Sequence, residues 1–345
     1  MIEMPKQRLH YFDIIKGLAI TAVVMGHVLW FSMEAMRDSI PFRLIASIHM
    51  PLFFFISGWF ITRLDSDGRL VPPQIQKRFI QLIVPTVVMS SLFLIVAPSL
   101  HLNDTPFMTF KALWLSSAKY GYWFGIALFE LILLYRLSVP MLDRAKKAWQ
   151  PLAGALIASA VFYIITKRVP GAAPFEPNEL ANYTIPFIAG ATAHRHYAGF
   201  MKFIGKNVVM TAALCVLAIS LFIIGTPYTL PNLLRLSARI ACLLSLAVLS
   251  IRLLKPWAEN QKESPGIAFR TFTYLGRNSF GIYLLQYFFL FPLQDVENVL
   301  SAMLPGFVPL VFISIVAAAA IIAASCLIIE VLRPSRLLSR IVTGQ

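Results

Sequence analysis

Ten long apolar stretches constrain this chain more than any other feature of its sequence. Each has about 17–25 mostly apolar residues, the length that an α-helix needs to cross a bilayer. The runs are continuous, unlike the alternating pattern of membrane β-strands, and a helix satisfies its own backbone hydrogen bonds in lipid. The sequence therefore predicts an all-α polytopic membrane protein with about ten transmembrane helices, near residues 12–32, 43–62, 79–98, 121–141, 150–167, 180–197, 207–225, 230–254, 278–294 and 306–332.

The overall composition excludes a soluble enzyme and a disordered chain. Hydrophobic residues make up 58% of the 345 residues and charged residues only 13%, whereas soluble domains have about 25% charged residues. No loop is long enough for a second domain, so we expect residues 1–345 to form a single membrane-embedded domain. The first stretch contains Asp13, Lys16 and His27 and lacks a small-residue cleavage site, which indicates a retained helix rather than a signal peptide.

The distribution of basic residues predicts the orientation of the helices. With ten spans and an inner amino terminus, 21 of the 30 Lys and Arg residues lie in inner segments and 6 in outer loops. Cytoplasmic loops of membrane proteins carry this excess. We therefore expect both termini in the cytoplasm, and we attribute the net charge of +14 to orientation rather than to nucleic-acid binding.

Several signatures of other enzyme classes are missing from the sequence. Cys215, Cys242 and Cys326 lie in apolar stretches, with no CxxC spacing and no histidine cluster, so we expect buried thiols rather than a disulfide framework or a zinc site. GxSxG, GxxxxGK[ST] and HExxH motifs are also missing, which disfavours serine hydrolysis by that motif, ATP-driven transport and zinc proteolysis. No metal cofactor is expected.

Ionisable residues inside the spans mark the candidate site, because such groups are costly in lipid. Lys16 and His27 are eleven residues apart, so they share one helix face and lie about 16 Å apart along its axis. The second span runs back and places His49 at a similar depth, where it either acts with His27 or only positions it. Asp13 either serves the site or pairs with Lys16 or Arg8.

Three further charged residues lie inside later spans. Glu130 is in the fourth span, and Arg235 and Arg239, four residues apart, share a face of the eighth. Buried guanidinium groups need anionic or carbonyl partners. The arginines either pair with Glu130 or another acid, or they contact an anionic or polyhydroxylated substrate. The remaining histidines are expected to be solvated: His10, His101, His194 and His196.

A buried histidine with a basic inner mouth fits acyl transfer. Neutral imidazole can take the proton of an alcohol as the alcohol attacks a thioester. The cations would hold the phosphates of a cytoplasmic acyl donor, and the Lys16-to-His27 distance is of the order of a pantetheine arm. The alternative is a secondary transporter, in which the same groups relay protons, although no inverted repeat is evident. A membrane-embedded sensor or scaffold is a third interpretation.

Five motifs also follow one another along the chain. They are Arg8-Leu-His-Tyr-Phe-Asp13-Ile-Ile-Lys16-Gly17 through Gly26-His27, His49-Met-Pro-Leu-Phe-Phe-Phe-Ile-Ser57-Gly58, Lys77-Arg78-Phe-Ile-Gln81 with Pro85, Trp123-Phe124 leading to Glu130, and Leu275-Gly-Arg-Asn-Ser279 through Tyr283-Leu-Leu-Gln286. As an ordered set they resemble the acyltransferase-3 family of integral-membrane acyltransferases, which modify cell-envelope glycans.

The resemblance implies an O-acyltransferase of the cytoplasmic (inner) membrane. It would move an acyl group, usually acetyl from acetyl-CoA, to a hydroxyl of a lipid-linked sugar or an envelope glycan. The family's catalytic histidine corresponds to His27, which would act as base or acyl relay, with Asp13 and His49 orienting or tuning it. The expected partners are thus an acyl-CoA, a saccharide acceptor and membrane lipids.

The resemblance also implies where the donor binds. The family's CoA-phosphate arginine corresponds to Arg78, and we expect Lys16 to hold the donor with it. Glu130, Arg235 and Arg239 are then candidates for acceptor contacts. Two positions depart from the family pattern, because Gln81 replaces a second arginine and Gln286 replaces a late histidine.

Overall fold

The computed structural model describes residues 9–37, 39–96, 121–168, 176–226, 232–261, 264–304 and 306–344. Within them the regular structure is helical, apart from one antiparallel bridge between Leu64 and Leu70. The predicted all-α architecture is therefore confirmed. Arg8, His101 and the predicted outer-loop residues Lys111 and Lys119 lie outside the described residues.

The described helices are numbered here in chain order. They are α1 (His10–His27), α2 (Ile40–Ile61), α3 (Ile75–Val96), α4 (Trp123–Arg144), α5 (Trp149–Arg168), α6 (Pro177–Arg195), α7 (Tyr197–Ile204), α8 (Asn207–Gly225), α9 (Asn232–Asn260), α10 (Ile267–Arg277), α11 (Ser279–Leu285), α12 (Gln294–Met303), α13 (Val308–Leu332) and α14 (Arg336–Thr343). A π-helical turn, Val28–Ser32, continues α1, and a 3₁₀ turn, Gln286–Phe289, continues α11.

Eight of the described helices are long and apolar enough to cross a membrane. They are α1 with its π-helical turn, α2, α3, α4, α5, α8, α9 and α13. The protein is therefore a multi-pass membrane protein, as predicted. α6 occupies the position of the predicted sixth span but is not among the eight, since Asn182 and Pro186 interrupt its apolar run.

The predicted ninth span differs most from the structure. Residues 278–294 do not form one helix, because the apolar helical part covers only Ser279–Phe289 and α12 begins at Gln294. Pro292, which lacks a backbone N–H, lies in the break. The helical part is about 17 Å long, against about 30 Å for a bilayer core. The count of ten spans and the cytoplasmic termini stay predictions.

The chain divides into two compact units. Unit 1 is Met1–Leu52 with Ile204–Ser339, and unit 2 is Phe53–Phe203 with Arg340–Gln345. The single domain expected from the sequence stays a prediction. Each unit contains a close helix crossing made by two glycines.

In unit 1, α1 packs against α10 with direct backbone contact. A Cβ atom at Gly17 would collide with the carbonyl oxygen of Phe272, and one at Gly276 would collide with the carbonyl oxygen of Asp13. The reciprocal contacts show that the two helices run antiparallel at the crossing. Small residues allow this approach because only they leave the backbone uncovered.

In unit 2, the second half of α2 packs against α6 in the same way. Side chains at Gly58 and Gly190 would collide with the carbonyl oxygens of Phe187 and Phe55, respectively. At the end of α4, the Asp143 carboxylate accepts a hydrogen bond of 3.0 Å from the Leu70 backbone N–H. These contacts hold the second half of α2 against α6 and the segment after α2 against the end of α4.

Candidate functional site

His27 is the last residue of α1, and its imidazole lies among aromatic rings of unit 1. Its ring centroid is 5.2 Å from that of Tyr287 and 5.6 Å from that of Phe31. The side chain is half-buried, and its Nδ1 atom has no hydrogen-bond partner among the described residues. Since neutral imidazole offers one donor and one acceptor nitrogen, His27 retains hydrogen-bonding capacity for a ligand.

The backbone directly after His27 adopts an unusual conformation. The π-helical turn Val28–Ser32 replaces the expected α-helical continuation. Such turns are rare in proteins as a whole, and those that occur are often found at functional sites. Here the turn places Phe31 next to the histidine that it follows.

His49 on α2 lies beside the end of α1. Its Nδ1 atom is 2.6 Å from the carbonyl oxygen of Ile45. A carbonyl only accepts hydrogen bonds, so in the neutral ring Nδ1 carries the proton and Nε2 keeps its lone pair. The His49 Cε1 atom lies 3.7 Å from where a Cβ of Gly26 would stand. The structure thus places an oriented histidine next to the residue that precedes His27.

Gln286 is the third polar side chain at the candidate site, after His27 and His49. It is fully buried, and its side chain lies next to the His27 ring. Its Nε2 donates a hydrogen bond of 3.0 Å to the carbonyl oxygen of Tyr283, whereas Oε1 is buried without a partner among the described residues. The residue noted only as a departure from the family pattern therefore presents a hydrogen-bond acceptor to the His27 ring.

Glu297 on α12 holds the segment that follows the π-helical turn. Its buried carboxylate accepts hydrogen bonds from the backbone N–H groups of Glu34, at 2.9 Å, and Ala35, at 3.1 Å. The Leu293 N–H also donates to the Ser32 carbonyl oxygen at 2.8 Å. Sequence reasoning missed Glu297, since nothing in the local sequence indicates which distant N–H groups it meets.

Asp13 and Lys16 form an ion pair near the start of α1. The Lys16 Nζ is 3.0 Å from one carboxylate oxygen, and the Arg277 Nε is 3.9 Å from the other. Asp13 precedes His27 by fourteen residues, or about 21 Å of helix. That length excludes a hydrogen bond between Asp13 and His27, so any influence of the carboxylate on the imidazole is indirect.

Arg78 lies near the start of α3 in unit 2. Its guanidinium donates a hydrogen bond of 3.1 Å to the Gln81 Oε1 atom. Gln81 and Lys77 line a cavity of about 870 Å³, whereas Arg78 does not. The structure therefore places Arg78 next to residues that line a basic cavity, with its guanidinium hydrogen-bonded to the Gln81 amide.

The candidate acceptor residues have different environments. Glu130 is buried in unit 2, where its Oε2 accepts a hydrogen bond of 3.2 Å from the Glu176 N–H. In unit 1, Arg235 is buried, and Arg239, four residues later on α9, is exposed.

Two histidines that were expected to be solvated are packed against aromatic rings. The His10 ring lies 5.6 Å from that of Phe269, and the His194 ring lies 5.3 Å from that of Trp59. The Nδ1 atoms of both histidines are buried. All three of the described histidines in this set, His10, His194 and His196, are half-buried. Full solvation was not predicted correctly for His10 and His194, because the aromatic rings that pack against them are remote in sequence.

Comparison with known protein families agrees with the motifs. A family described as an acyltransferase domain, acyltransferase-3, matches residues 9–325, nearly the whole chain. The chain belongs to the acyltransferase-3 family. The searches of curated proteins and of solved structures gave no match.

This acyltransferase is thus an integral-membrane enzyme that uses an acyl donor and an acceptor. Its described residues contain no group of three or more His, Cys, Asp or Glu side chains that could hold a metal ion. The three cysteines are free thiols, and Cys215 is exposed rather than buried as expected.

Proposed function

We propose that this acyltransferase moves an acyl group, usually acetyl, from cytoplasmic acyl-CoA to a hydroxyl of an envelope glycan or lipid-linked sugar. One observation carries the proposal: His27 is half-buried beside the polar side chains of His49 and Gln286, and its Nδ1 atom has no hydrogen-bond partner among the described residues. Buried polar atoms usually have partners, so an open nitrogen here supports a site for a reacting group.

The chemistry needs only one proton acceptor. Neutral His27 takes the hydroxyl proton as the acceptor oxygen attacks the thioester carbonyl carbon. The C–O bond forms, the C–S bond breaks, and the leaving thiolate takes the proton back from the imidazolium. In the relay variant, a His27 nitrogen attacks the thioester carbonyl carbon, and the C–S bond breaks to release the CoA thiolate. The acceptor hydroxyl then attacks the acyl carbon, the C–N bond to His27 breaks, and the hydroxyl proton passes to the thiolate.

His49 acts as a positioning residue in this scheme. Its hydrogen bond to Ile45 fixes the ring and the tautomer, so that Nε2 is an acceptor. Asp13 serves the inner end of α1, where its carboxylate orients Lys16. Arg235, Arg239 and Glu130 are proposed to contact the acceptor.

Lys16 and Arg78 are proposed to hold the donor. Lys16 lies about 16 Å before His27 on one face of α1, which suits a pantetheine arm reaching from a phosphate site to the imidazole. The excess of basic residues in the predicted inner segments supports cytoplasmic termini, a cytoplasmic donor and the inner membrane.

The test is release of CoA from acetyl-CoA by purified protein, with and without an envelope-glycan fraction. General-base catalysis contributes about 10²–10⁴-fold. His27→Ala and His27→Gln should therefore lower the rate per folded molecule at least about a hundredfold. His196→Gln removes a half-buried histidine outside the site and is the matched control.

Two outcomes would contradict the proposal. Near-wild-type transfer by folded His27→Ala protein would end the catalytic assignment of His27. A wild-type protein that forms no acyl product but shows pH-coupled flux would favour the transporter.

A further inference from the structure

The cavity beside Arg78 contains an unusual set of polar groups. Its walls include side chains from α3 and the residue before it, from α4 and from the carboxyl-terminal helix α14. They are three cations, Lys77, Arg136 and Arg340, and three amides, Gln74, Gln76 and Gln81. All of them lie in unit 2. The cavity measures about 870 Å³.

The positive charge of this cavity is not balanced locally. None of the described residues that line it is acidic. The Arg136 guanidinium donates to the backbone carbonyl of Pro73, and the side chains of Lys77 and Arg340 make no ion pair with the described residues. Three like charges that share one cavity repel one another, so a bound polyanion would lower their energy.

Arg78 contributes to this cavity indirectly. Its hydrogen bond to Gln81 Oε1 directs the Gln81 amide nitrogen away from the guanidinium, so the amide remains a donor at the cavity wall. Lys77, Arg136 and Arg340 are the cations whose side chains line the cavity. Guanidinium groups bind phosphate oxygens in a bidentate manner, and lysine binds them as a point charge.

We propose that Arg340 of the carboxyl-terminal helix completes, with Lys77 and Arg136, the site that binds the phosphates of the acyl donor. The inference rests on the proposed function and deepens it. Arg340 lies beyond residues 9–325, so the family match does not assign it. The donor site then depends on the last helix of the chain, far in sequence from the histidine that does the chemistry.

The experiment measures CoA binding to the full-length protein in nanodiscs by calorimetry. A charge-assisted hydrogen bond contributes enough binding free energy that Arg340→Ala should raise the Kd for CoA about tenfold. Arg340→Lys keeps the charge and should recover part of that loss, which also guards against a misfolded alanine variant. Arg336→Ala removes the same charge one turn earlier on α14 and should change the Kd less than about twofold.

The outcomes separate this inference from the proposed function. Equal CoA affinity of the Arg340→Ala and Arg336→Ala proteins would overturn the role of Arg340, whatever the transfer assay shows. Weaker CoA binding by Arg340→Ala alone would support the phosphate site, even if His27→Ala retained transfer and the proposed chemistry failed. Wild-type protein that binds no CoA at all would overturn the phosphate site.

Discussion

The two units of this acyltransferase use their polar residues differently. Around His27 in unit 1 the polar groups are buried and mostly uncharged, and His49 and Gln286 are fixed by backbone carbonyls. In unit 2 the cations of the cavity are exposed and lack carboxylate partners among the described residues. Burial favours precise orientation of reacting groups, whereas exposed charge attracts an anion from solution. The proposed roles follow this difference, with the chemistry assigned to His27 in unit 1 and the binding of the donor phosphates assigned to the cavity in unit 2.

A change in unit 2 should therefore alter the donor requirement rather than the maximal rate. Arg78→Ala removes the support of Gln81 and one positive charge at the cavity edge. We expect the acetyl-CoA concentration at half-maximal rate to rise about tenfold, with little change in kcat. Steady-state kinetics with varied acetyl-CoA measure this. Arg144→Ala, an exposed arginine of the same unit, is the control, and an equal effect there would indicate a general charge effect.

A change beside His27 should have the opposite kinetic pattern. His49→Gln keeps a hydrogen bond to Ile45 but cannot take a proton. Because the hydrogen bond that positions the side chain is kept, we expect kcat to fall by less than about tenfold, with an unchanged acetyl-CoA requirement. Turnover at saturating acetyl-CoA measures it. A loss as large as that of His27→Ala would instead make His49 a direct participant in proton transfer.

The smallest effect is expected at Glu297. Glutamine can accept only one of the two N–H bonds from Glu34 and Ala35, so Glu297→Gln should cost about 1 kcal/mol of stability. That corresponds to a fall in Tm of about 2 °C for a protein of this size. Thermal unfolding measures it, with the exposed Glu259→Gln as control. An unchanged Tm would mean that the segment after the π-helical turn is held by other contacts.

The sequence predicts the features that depend on local pattern. Continuous apolar runs identify the long helices, since their length follows from bilayer thickness. The ion pair of Asp13 with Lys16 is one of the alternatives that the sequence leaves open, and it joins residues three positions apart on one helix. The family motifs likewise identify His27 as a candidate, because a helix preserves the relation between residues on one face.

Features that depend on distant parts of the chain were not predicted. Arg277 joins the Asp13 pair only because glycines bring α10 against α1. Gln286 lies beside His27 in the 3₁₀ turn that continues α11, where the sequence predicted one long span. Arg340 meets Lys77 through a fold that places residues more than 250 positions apart at one cavity. Tertiary packing decides all three, and local sequence contains no signal for it.

The π-helical turn after His27 has a consequence for how this protein tolerates insertions and deletions. A π-helical turn corresponds to an α-helix that has accommodated extra backbone. Loss of one residue between Lys16 and His27 would rotate the imidazole by about 100° relative to the lysine and shorten their separation by about 1.5 Å. Loss of one residue within Val28–Ser32 could instead be absorbed by a return to α-helical winding, with His27 left in place. The chain is thus length-sensitive before the histidine and length-tolerant just after it.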